Sequence, residues 1–414
     1  MRAHTWLALG LLLGGCTLQY TDDNAAKDAK PRPDSSSTSA STQSSSTSGS
    51  TTGATSTTTT TGTTDTTSNT TGISSTGQST TTGPTGTTNN TTTTSGTIGG
   101  STGTTDTSGT TGSTPGTYTQ IASSAPDDLL SDIEQTAPGT FMVLDESADF
   151  LTWSSATNWV EVFQTSDQPP RFTVAPGGTA IWVADHSGSG GDAIVKLSIS
   201  NGQVLETIGD RFSSGHLDGA FGTALFHGVN GVAVDSHGNL VVTEQDNNDI
   251  RYIDFTTTQV STIAGSLSQQ NGFADSNGGG GNAATFDAPT AVTIGGDGTI
   301  YVIDSTNCLV RAIEGSSPWN VTTLAGHSCC ANATPTDNAN PLLAQFCPMS
   351  GIASDNQGNV FVLDVVAEAV REINSSGVST IAGSQGLEAP GGLRVTGSHQ
   401  LSLVDGYDIW QVTY

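Results

Sequence analysis

The stretch GVAVDSHGNLVVTEQDNNDIRYID at residues 231–254 decides the fold of this chain, because it recurs twice at a spacing of 60 residues. Its copies are AVTIGGDGTIYVIDSTNCLVRAIE at 291–314 and GIASDNQGNVFVLDVVAEAVREIN at 351–374. Each copy contains three short apolar runs separated by Gly, Asn and Asp, which favour tight turns, and a fourth run follows it. Four short strands repeated in this way are typical of the blades of a β-propeller.

Two charged columns run through the three units. An acidic residue ends each second strand, at Glu244, Asp304 and Asp364. An arginine follows seven residues later on each third strand, at Arg251, Arg311 and Arg371. The arginines would bind an anion if they faced the axis of the propeller, but third strands lie away from it. We therefore predict a structural ion pair within each blade.

Weaker copies of the unit extend the pattern on both sides. Residues 173–179, 181–185, 193–198 and 204–208 fit a fourth unit. Residues 142–145, 150–154 and 159–163 fit a fifth, for which no outermost strand is visible before Arg171. Residues 393–396, 401–404 and 409–412 begin a sixth. The sequence therefore predicts an all-β fold, a six-bladed β-propeller with four-stranded antiparallel blades, over residues 117–414.

The sixth unit contains three strands and lacks the fourth. The segment YTQIAS at 118–123 resembles VSTIAG at 260–265, which closes the clearest unit. We predict that this N-terminal segment pairs as the outer strand of the last blade. Such pairing would close the ring and remove the exposed edges of an open array.

The repeated unit resembles the NHL repeat. The resemblance is carried by VAVD at 232–235, GNLVV at 238–242, DIRYI at 249–253 and VSTIAG at 260–265. The preceding loop, with Asp218-Gly219, Ala224 and Phe226, is similar to the long loop between NHL blades. The match covers about residues 215–383 and implies a propeller fold for them.

Propellers that resemble NHL repeats include metal-dependent lyases, such as peptidyl-hydroxyglycine amidating lyase and streptogramin lyase. The amidating lyase holds zinc with histidines from several blades, and a zinc site needs at least three such ligands. Here His227 has no histidine in its column, and His216 and His327 lie in loops. Asp-rich loops such as 246–249 also lack the ligand spacing of a Ca²⁺ site. We therefore expect no cofactor, neither Zn²⁺ nor Ca²⁺.

Residues that immediately precede the innermost strands of a propeller surround one mouth of its central channel. Two polar columns fall there: His227, Asp287 and Cys347, and then Asn230, Thr290 and Ser350. We predict that His227, Asn230, Asp287, Thr290 and Ser350 contact a ligand. The alternative is that these polar groups satisfy backbone groups where the strands begin.

The first residues form an export signal. Arg2 supplies a positive charge, and Trp6–Leu13 form an apolar run that is too short to span a bilayer. The run ends in Leu-Gly-Gly-Cys at 13–16, which resembles the bacterial lipobox. We predict a signal peptide and lipobox at 1–16 and acylation of Cys16, by diacylglycerol and a chain such as palmitate. Several acyl chains on one residue anchor a protein stably to a membrane.

Residues 17–116 separate this signal from the propeller. From 35 to 116 they are almost only Ser, Thr, Gly and Asn. Such a segment buries too little apolar surface to offset its chain entropy. We predict a disordered tether at 17–116 and, since Thr17 rather than Asp follows Cys16, an outer-membrane or cell-surface location.

The foldable part of the chain is strongly acidic. After Gly116 it holds 32 Asp and Glu residues but seven Lys and Arg residues, a net charge of −25. A protein that binds nucleic acid needs clustered basic residues, so nucleic acid is excluded as a partner. The charge indicates a solvated extracellular surface.

Four cysteines remain after Cys16: Cys308, Cys329, Cys330 and Cys347. An even number in an exported protein predicts two disulfides, and four cysteines allow three pairings. We predict that Cys308 bonds to one member of the adjacent pair Cys329 and Cys330, and that Cys347 bonds to the other.

These features predict a monomeric, membrane-anchored binding or interaction module without catalysis. Its ligand, a protein, a glycan or a small molecule, would contact the mouth that contains His227. The alternative is a metal-dependent lyase or lactone hydrolase with its site at the same mouth.

Replacing Cys16 tests the lipoprotein prediction. We expect the Cys16→Ala chain to remain unlipidated and uncleaved by the lipoprotein peptidase, because the thiol that takes the diacylglycerol is gone. Mass spectrometry of the N-terminus and membrane fractionation measure this. Wild-type processing and membrane partitioning of the variant would contradict the prediction.

Overall fold

The computed structural model describes residues 117–123, 129–165, 171–187, 190–329, 335–383, 387 and 390–414. The predictions for Cys16, for the tether and for Cys330 lie outside these residues. Within the described ranges, no helix is long and apolar enough to cross a membrane.

In the described residues, 25 strands form six antiparallel sheets, which are the blades of a propeller. Strand β1 (Thr117–Ala122) belongs to the last blade. Blade 1 consists of β2 (Leu130–Ala137), β3 (Thr140–Asp145), β4 (Asp149–Ser154) and β5 (Asn158–Gln164). Blade 2 consists of β6 (Phe172–Val174), β7 (Ala180–Ser187), β8 (Gly191–Ser198) and β9 (Val204–Gly209).

The three repeated units form the next blades. Blade 3 consists of β11 (Val229–Val234), β12 (Leu240–Glu244), β13 (Asp249–Asp254) and β14 (Gln259–Gly265), with β10 (Gly219–Ala220) on its outer edge. Blade 4 consists of β15 (Pro289–Ile294), β16 (Ile300–Asp304), β17 (Leu309–Glu314) and β18 (Asn320–Ala325). Blade 5 consists of β19 (Met349–Ser354), β20 (Val360–Asp364), β21 (Ala369–Asn374) and β22 (Gly377–Gly383). Blade 6 consists of β23 (Pro390–Gly397), β24 (Gln400–Asp405), β25 (Asp408–Thr413) and β1.

Because successive strands of a blade are antiparallel, the connections between strands lie alternately on the two faces of the propeller. The first strand of each blade is the inner one, and the inner strands of neighbouring blades contact one another around the ring, β23 and β2 included. Turns between second and third strands and connections between blades share one face, which we call the loop face. Among the repeated blades it comprises residues 210–228, 245–248, 266–288, 305–308, 326–329, 335–348 and 365–368. The other turns lie on the opposite face, the turn face.

The core lies between neighbouring blades. The aromatic residues that open the repeated units, Phe226, Phe286 and Phe346, are fully buried. Phe226 packs among Trp182 of blade 2 and Val232 of blade 3, and the other two occupy the same place at the next two junctions. Each unit therefore begins with the side chain that fixes its blade to the preceding one.

The ring closes as the sequence predicts. Strand β1 pairs antiparallel with β25, with Thr117 opposite Thr413 and Gln120 opposite Trp410. The Tyr118 ring meets the Trp410 ring edge-on, with 6.3 Å between their centroids. The N-terminal strand thus supplies the fourth strand of the last blade.

The assignment of blade 1 needs a correction. Its inner strand is Leu130–Ala137, so the runs at 142–145, 150–154 and 159–163 are its second, third and fourth strands and no outermost strand is missing. The inner strand escapes a search for apolar alternation because it carries Asp132 and Glu134. Arg394 of blade 6 compensates these charges, at 3.4 Å from Asp132 and 2.9 Å from Glu134.

Truncation tests the closure of the ring. A chain that starts at Ser113 keeps β1, and we expect it to unfold at the same temperature as the full mature chain. A chain that starts at Ala125 loses β1 and exposes the edge of β25, so its midpoint should fall by roughly 10 °C or more. Thermal unfolding followed by circular dichroism measures both, and equal midpoints would contradict closure by β1.

Candidate functional site

The repeated arginines lie inside the blades and pair with the predicted carboxylates. The Nη1 atoms of Arg251, Arg311 and Arg371 lie 2.6, 2.8 and 3.3 Å from Glu244, Asp304 and Asp364, respectively. Each guanidinium also lies about 5 Å from the ring centroid of Phe226, Phe286 or Phe346. Since all six charged side chains are buried, the predicted structural ion pairs are confirmed.

A second carboxylate from the loop face reaches each arginine. Asp218, Asp275 and Asp337 lie 2.7, 2.9 and 2.7 Å from the Nη2 atoms of the same arginines. They also accept hydrogen bonds from threonines of the fourth strands. Sequence comparison misses this column because the loops differ in length, which places its members 57 and 62 residues apart.

The inner carboxylates position the predicted mouth column. Besides the arginine, each accepts a hydrogen bond from the backbone N–H of the residue that precedes an inner strand. His227 donates to Glu244 over 2.5 Å, Asp287 to Asp304 over 2.8 Å and Cys347 to Asp364 over 3.1 Å. The buried ion pair therefore fixes the backbone from which His227 and Asp287 extend.

Burial dominates the titration of these carboxyls. It raises the pKa of Glu244 and Asp364, and it raises the pKa of Asp304 to about 6. The neighbouring arginines oppose this effect without cancelling it. The charged carboxylates therefore carry a desolvation cost, which is typical of buried ion pairs.

His227, Asp287 and Asn230 lie at the mouth on the loop face, where solvent reaches them. His227 Nε2 is 3.5 Å from Asp246 Oδ2, and both side chains are 46% exposed. Asp287 accepts a hydrogen bond from Asn271 over 3.1 Å, and Asn230 donates to Gln245 over 3.2 Å. These three predicted residues carry polar groups that a ligand could reach.

The Ser350 side chain serves the backbone instead, and Thr290 contributes its backbone carbonyl to a contact between blades. The carbonyl of Thr290 accepts a hydrogen bond from the Thr243 hydroxyl over 2.9 Å. The Ser350 hydroxyl donates to the Pro390 carbonyl of blade 6 over 2.8 Å. The first contact joins the second strand of blade 3 to the inner strand of blade 4, and the second joins the inner strands of blades 5 and 6. The Ser350 contact is of the kind that the alternative interpretation of this column describes.

The structure adds a charged cluster at the inner strands that the sequence did not reveal. Arg171 precedes β6, and its Nη1 lies 3.4 Å from Asp132 Oδ1 of β2. Arg394 of β23 contacts the same carboxylate and Glu134. The available signal was the alternation of Asp132 and Glu134, which puts both on one side of a strand.

A disulfide joins two elements of the loop face. Cys308, in the turn between β16 and β17, is bonded to Cys329, with 5.0 Å between their Cα atoms. This confirms the prediction for Cys308. Cys347 is also disulfide-bonded, and its pairing with Cys330 remains a prediction because Cys330 lies outside the described residues.

Metal ligands do not converge in the described part of the chain. No three His, Cys, Asp or Glu side chains there come close enough to hold a metal ion. His216, for example, lies 2.7 Å from Asp249 and 3.1 Å from the Thr262 hydroxyl, beside the blade rather than at the axis.

The fold defines the class of this protein, a six-bladed β-propeller with four-stranded antiparallel blades. More particularly, residues 196–314 match the Teneurin NHL domain. No functionally curated sequence matches the chain.

Solved structures with the same fold serve different functions. A protein of unknown function from Bacteroides thetaiotaomicron has a TM-score of 0.53 at 15% identity, covering 72% of this chain and 75% of that one. An auxiliary nutrient binding protein from the same organism has 0.50 at 10%, covering 72% and 76%. A gluconolactonase from Xanthomonas campestris has 0.50 at 12%, covering 72% and 89%. Likeness at these identities shows the fold alone.

The buried carboxyl of Asp304 predicts a pH dependence. In the folded protein the pKa of Asp304 is about 6, above its usual value of 3.8. At pH values between these two, the folded protein therefore keeps a proton on Asp304 that the unfolded chain has released. Its contribution to the free energy of unfolding is therefore complete below about pH 4 and is lost as pH rises through about 6. We expect the stability of wild type relative to Asp304→Asn to fall over this interval.

Urea unfolding of both chains at several pH values measures that difference. Asp355→Asn is the matched control, because hydrogen bonds from Asn359 and Gln357 outweigh burial and lower the pKa of Asp355. Its contribution should stay constant above about pH 4 and be lost only on further acidification. If the free energies of unfolding of wild type and Asp304→Asn differ by the same amount at every pH, the prediction is refuted.

Proposed function

We propose that this protein is an extracytoplasmic binding module, held at a membrane by lipidated Cys16, that takes its ligand at the loop-face mouth without catalysing a reaction. The observation that carries the proposal is the set of accessible polar groups on rigid supports. His227 and Asp287 extend from backbone fixed by buried ion pairs, and Asn230 lies on an inner strand. Rigid placement of a few polar groups at a mouth is what a binding site needs.

The charge of the mouth indicates the chemistry of the ligand. Asp246 is exposed and Asp287 is half-buried, whereas the basic residues of the described part are engaged elsewhere. Arg211 pairs with Asp185, and Lys196 lies over the Trp182 ring. We therefore favour a protein, glycan or small molecule that offers basic groups or hydroxyl donors over an anionic ligand.

A metal-dependent lyase or lactone hydrolase is the second candidate. Support comes from His227 and Asp246, a half-exposed pair of the kind that moves protons in enzymes. The gluconolactonase with the same fold adds only a fold-level analogy. Elemental analysis of the purified protein, with an assay of lactone opening, distinguishes this candidate: stoichiometric metal and turnover would favour it.

Anchoring completes the proposal. A lipidated Cys16 followed by the 17–116 tether would hold the propeller at the outer membrane or cell surface while leaving the mouth accessible. We propose that the propeller acts there as a monomer, since each blade already packs between two neighbours within the closed ring.

Variants of the mouth test the binding site. We expect His227→Ala and Asp287→Asn each to weaken binding by roughly tenfold, because each removes a polar group that contacts the ligand. Glycan and peptide arrays probed with the wild-type protein would supply the ligand, and titration calorimetry would compare the variants.

His237→Ala is the matched control. His237 lies on the turn face and is 81% exposed, and its Nδ1 atom is 4.0 Å from Asp235 Oδ2. It therefore forms a His–Asp pair like that of His227 and Asp246, but on the face opposite the proposed mouth. Its replacement should leave binding unchanged. Equal affinities for wild type and both mouth variants would place the ligand elsewhere.

A further inference from the structure

Four buried or nearly buried charges meet where blades 1, 2 and 6 adjoin the axis. Asp132 is fully buried, and the side chains of Arg171 and Arg394 are 14% and 21% exposed. Asp132 accepts hydrogen bonds from both arginines and from the backbone N–H of Phe172, the last over 3.1 Å. Arg394 and Glu134 form the remaining pair, at 2.9 Å. The cluster is neutral only when both arginines are present.

Arg171 does more than neutralise its neighbour. Its Nη2 donates a hydrogen bond to the backbone carbonyl of Ser350, on the inner strand of blade 5. Because inner strands follow one another in order around the ring, blade 5 stands opposite blade 2, from which Arg171 extends. The side chain therefore crosses the axis of the propeller.

The channel is narrow at the level that Arg171 crosses. A Cβ atom added to Gly231 would lie 2.6 Å from the Thr290 carbonyl oxygen of the next inner strand. One added to Gly391 would lie 2.6 Å from the Ser131 carbonyl oxygen. Inner strands so close together leave room at the axis for a small planar group such as a guanidinium.

We propose that the axis holds a cation site, built from the Asp132 carboxylate and the Ser350 carbonyl, whose occupant is the chain's own Arg171 guanidinium. The ligand class of the site is therefore guanidinium and cations of similar size. Carboxylate and carbonyl oxygens facing one another across a narrow channel attract positive charge, and a fully buried Asp132 requires it. Because the Arg171 side chain is 14% exposed, its removal would open the site to small solutes.

Chemical rescue tests the proposal on the full chain. Arg171→Ala leaves Asp132 with a single arginine, so its unfolding midpoint should fall by roughly 5 °C or more. Methylguanidinium, at concentrations far below those that denature proteins, should restore part of this loss by entering the vacated site. NaCl at equal ionic strength should not restore it, and wild type should show no rise with methylguanidinium.

Two variants serve as controls. Arg211→Ala removes an arginine that pairs with Asp185 at 2.6 Å on the loop face, away from the axis, and should not respond to methylguanidinium. The double variant Arg171→Ala with Asp132→Asn lacks the carboxylate, so the response should vanish while stability exceeds that of Arg171→Ala alone.

The proposal is overturned if Arg171→Ala unfolds like wild type, or if methylguanidinium raises its midpoint no more than that of Arg211→Ala. Should Arg171→Ala fail to fold, Arg171→Gln replaces it, because glutamine keeps a donor for the Ser350 carbonyl while losing the charge. The unfolding midpoint of Arg171→Gln with methylguanidinium is then compared with its midpoint in NaCl, and an equal midpoint in both overturns the proposal.

Discussion

The pairing of β1 with β25 is the constraint on which the rest of the structure depends. A blade is a small sheet that buries its faces only against its neighbours, so an open row of six would leave two blade faces and a strand edge exposed. Strand β1 precedes blade 1 in the chain and pairs with β25 of blade 6, so it connects the first blade to the last. Its residue Ala122 packs in the hydrophobic cluster between blade 6 and blade 1. With the ring closed, each blade has two neighbours and the inner strands share one axis.

Closure also explains why charge is tolerated at the centre of the fold. Asp132 and Glu134 would weaken an inner strand that stood alone, because burying unpaired carboxylates is costly. Arg394 compensates them from blade 6, the neighbour that blade 1 acquires only when the ring closes. The backbone pairing at the outer edge and the ion pairs at the inner edge thus join the same two blades.

The repeated blades use buried charge differently. In each, an arginine joins a carboxylate of its own blade to a carboxylate of a loop, and the same inner carboxylate holds the backbone before the inner strand. These ion pairs and hydrogen bonds therefore connect the loop face directly to the interior of each blade. The backbone of the candidate ligand contacts His227 and Asp287 is held in place by these hydrogen bonds. The disulfide between Cys308 and Cys329 fixes a further part of the same face.

The sequence alone determined whatever depends on local pattern and repetition. Six blades and the ion pairs within blades 3 to 5 follow from alternation, turn residues and a constant spacing, because these contacts form between residues a fixed number of positions apart. The closing strand follows from its resemblance to the fourth strand of the repeated unit. The mouth position of His227 and Asp287 follows in the same way, from the place of their columns before the inner strands.

Only the tertiary structure decided the contacts between segments that are distant in the chain. Arg171 meets Ser350, and Arg394 meets Asp132, across sequence separations of 179 and 262 residues that no local pattern encodes. For the same reason the charged inner strand Leu130–Ala137 was not recognised: its carboxylates become compatible with burial only beside Arg394 and Arg171. The loop carboxylates at Asp218, Asp275 and Asp337 also needed the structure, because loops of unequal length remove them from any fixed spacing.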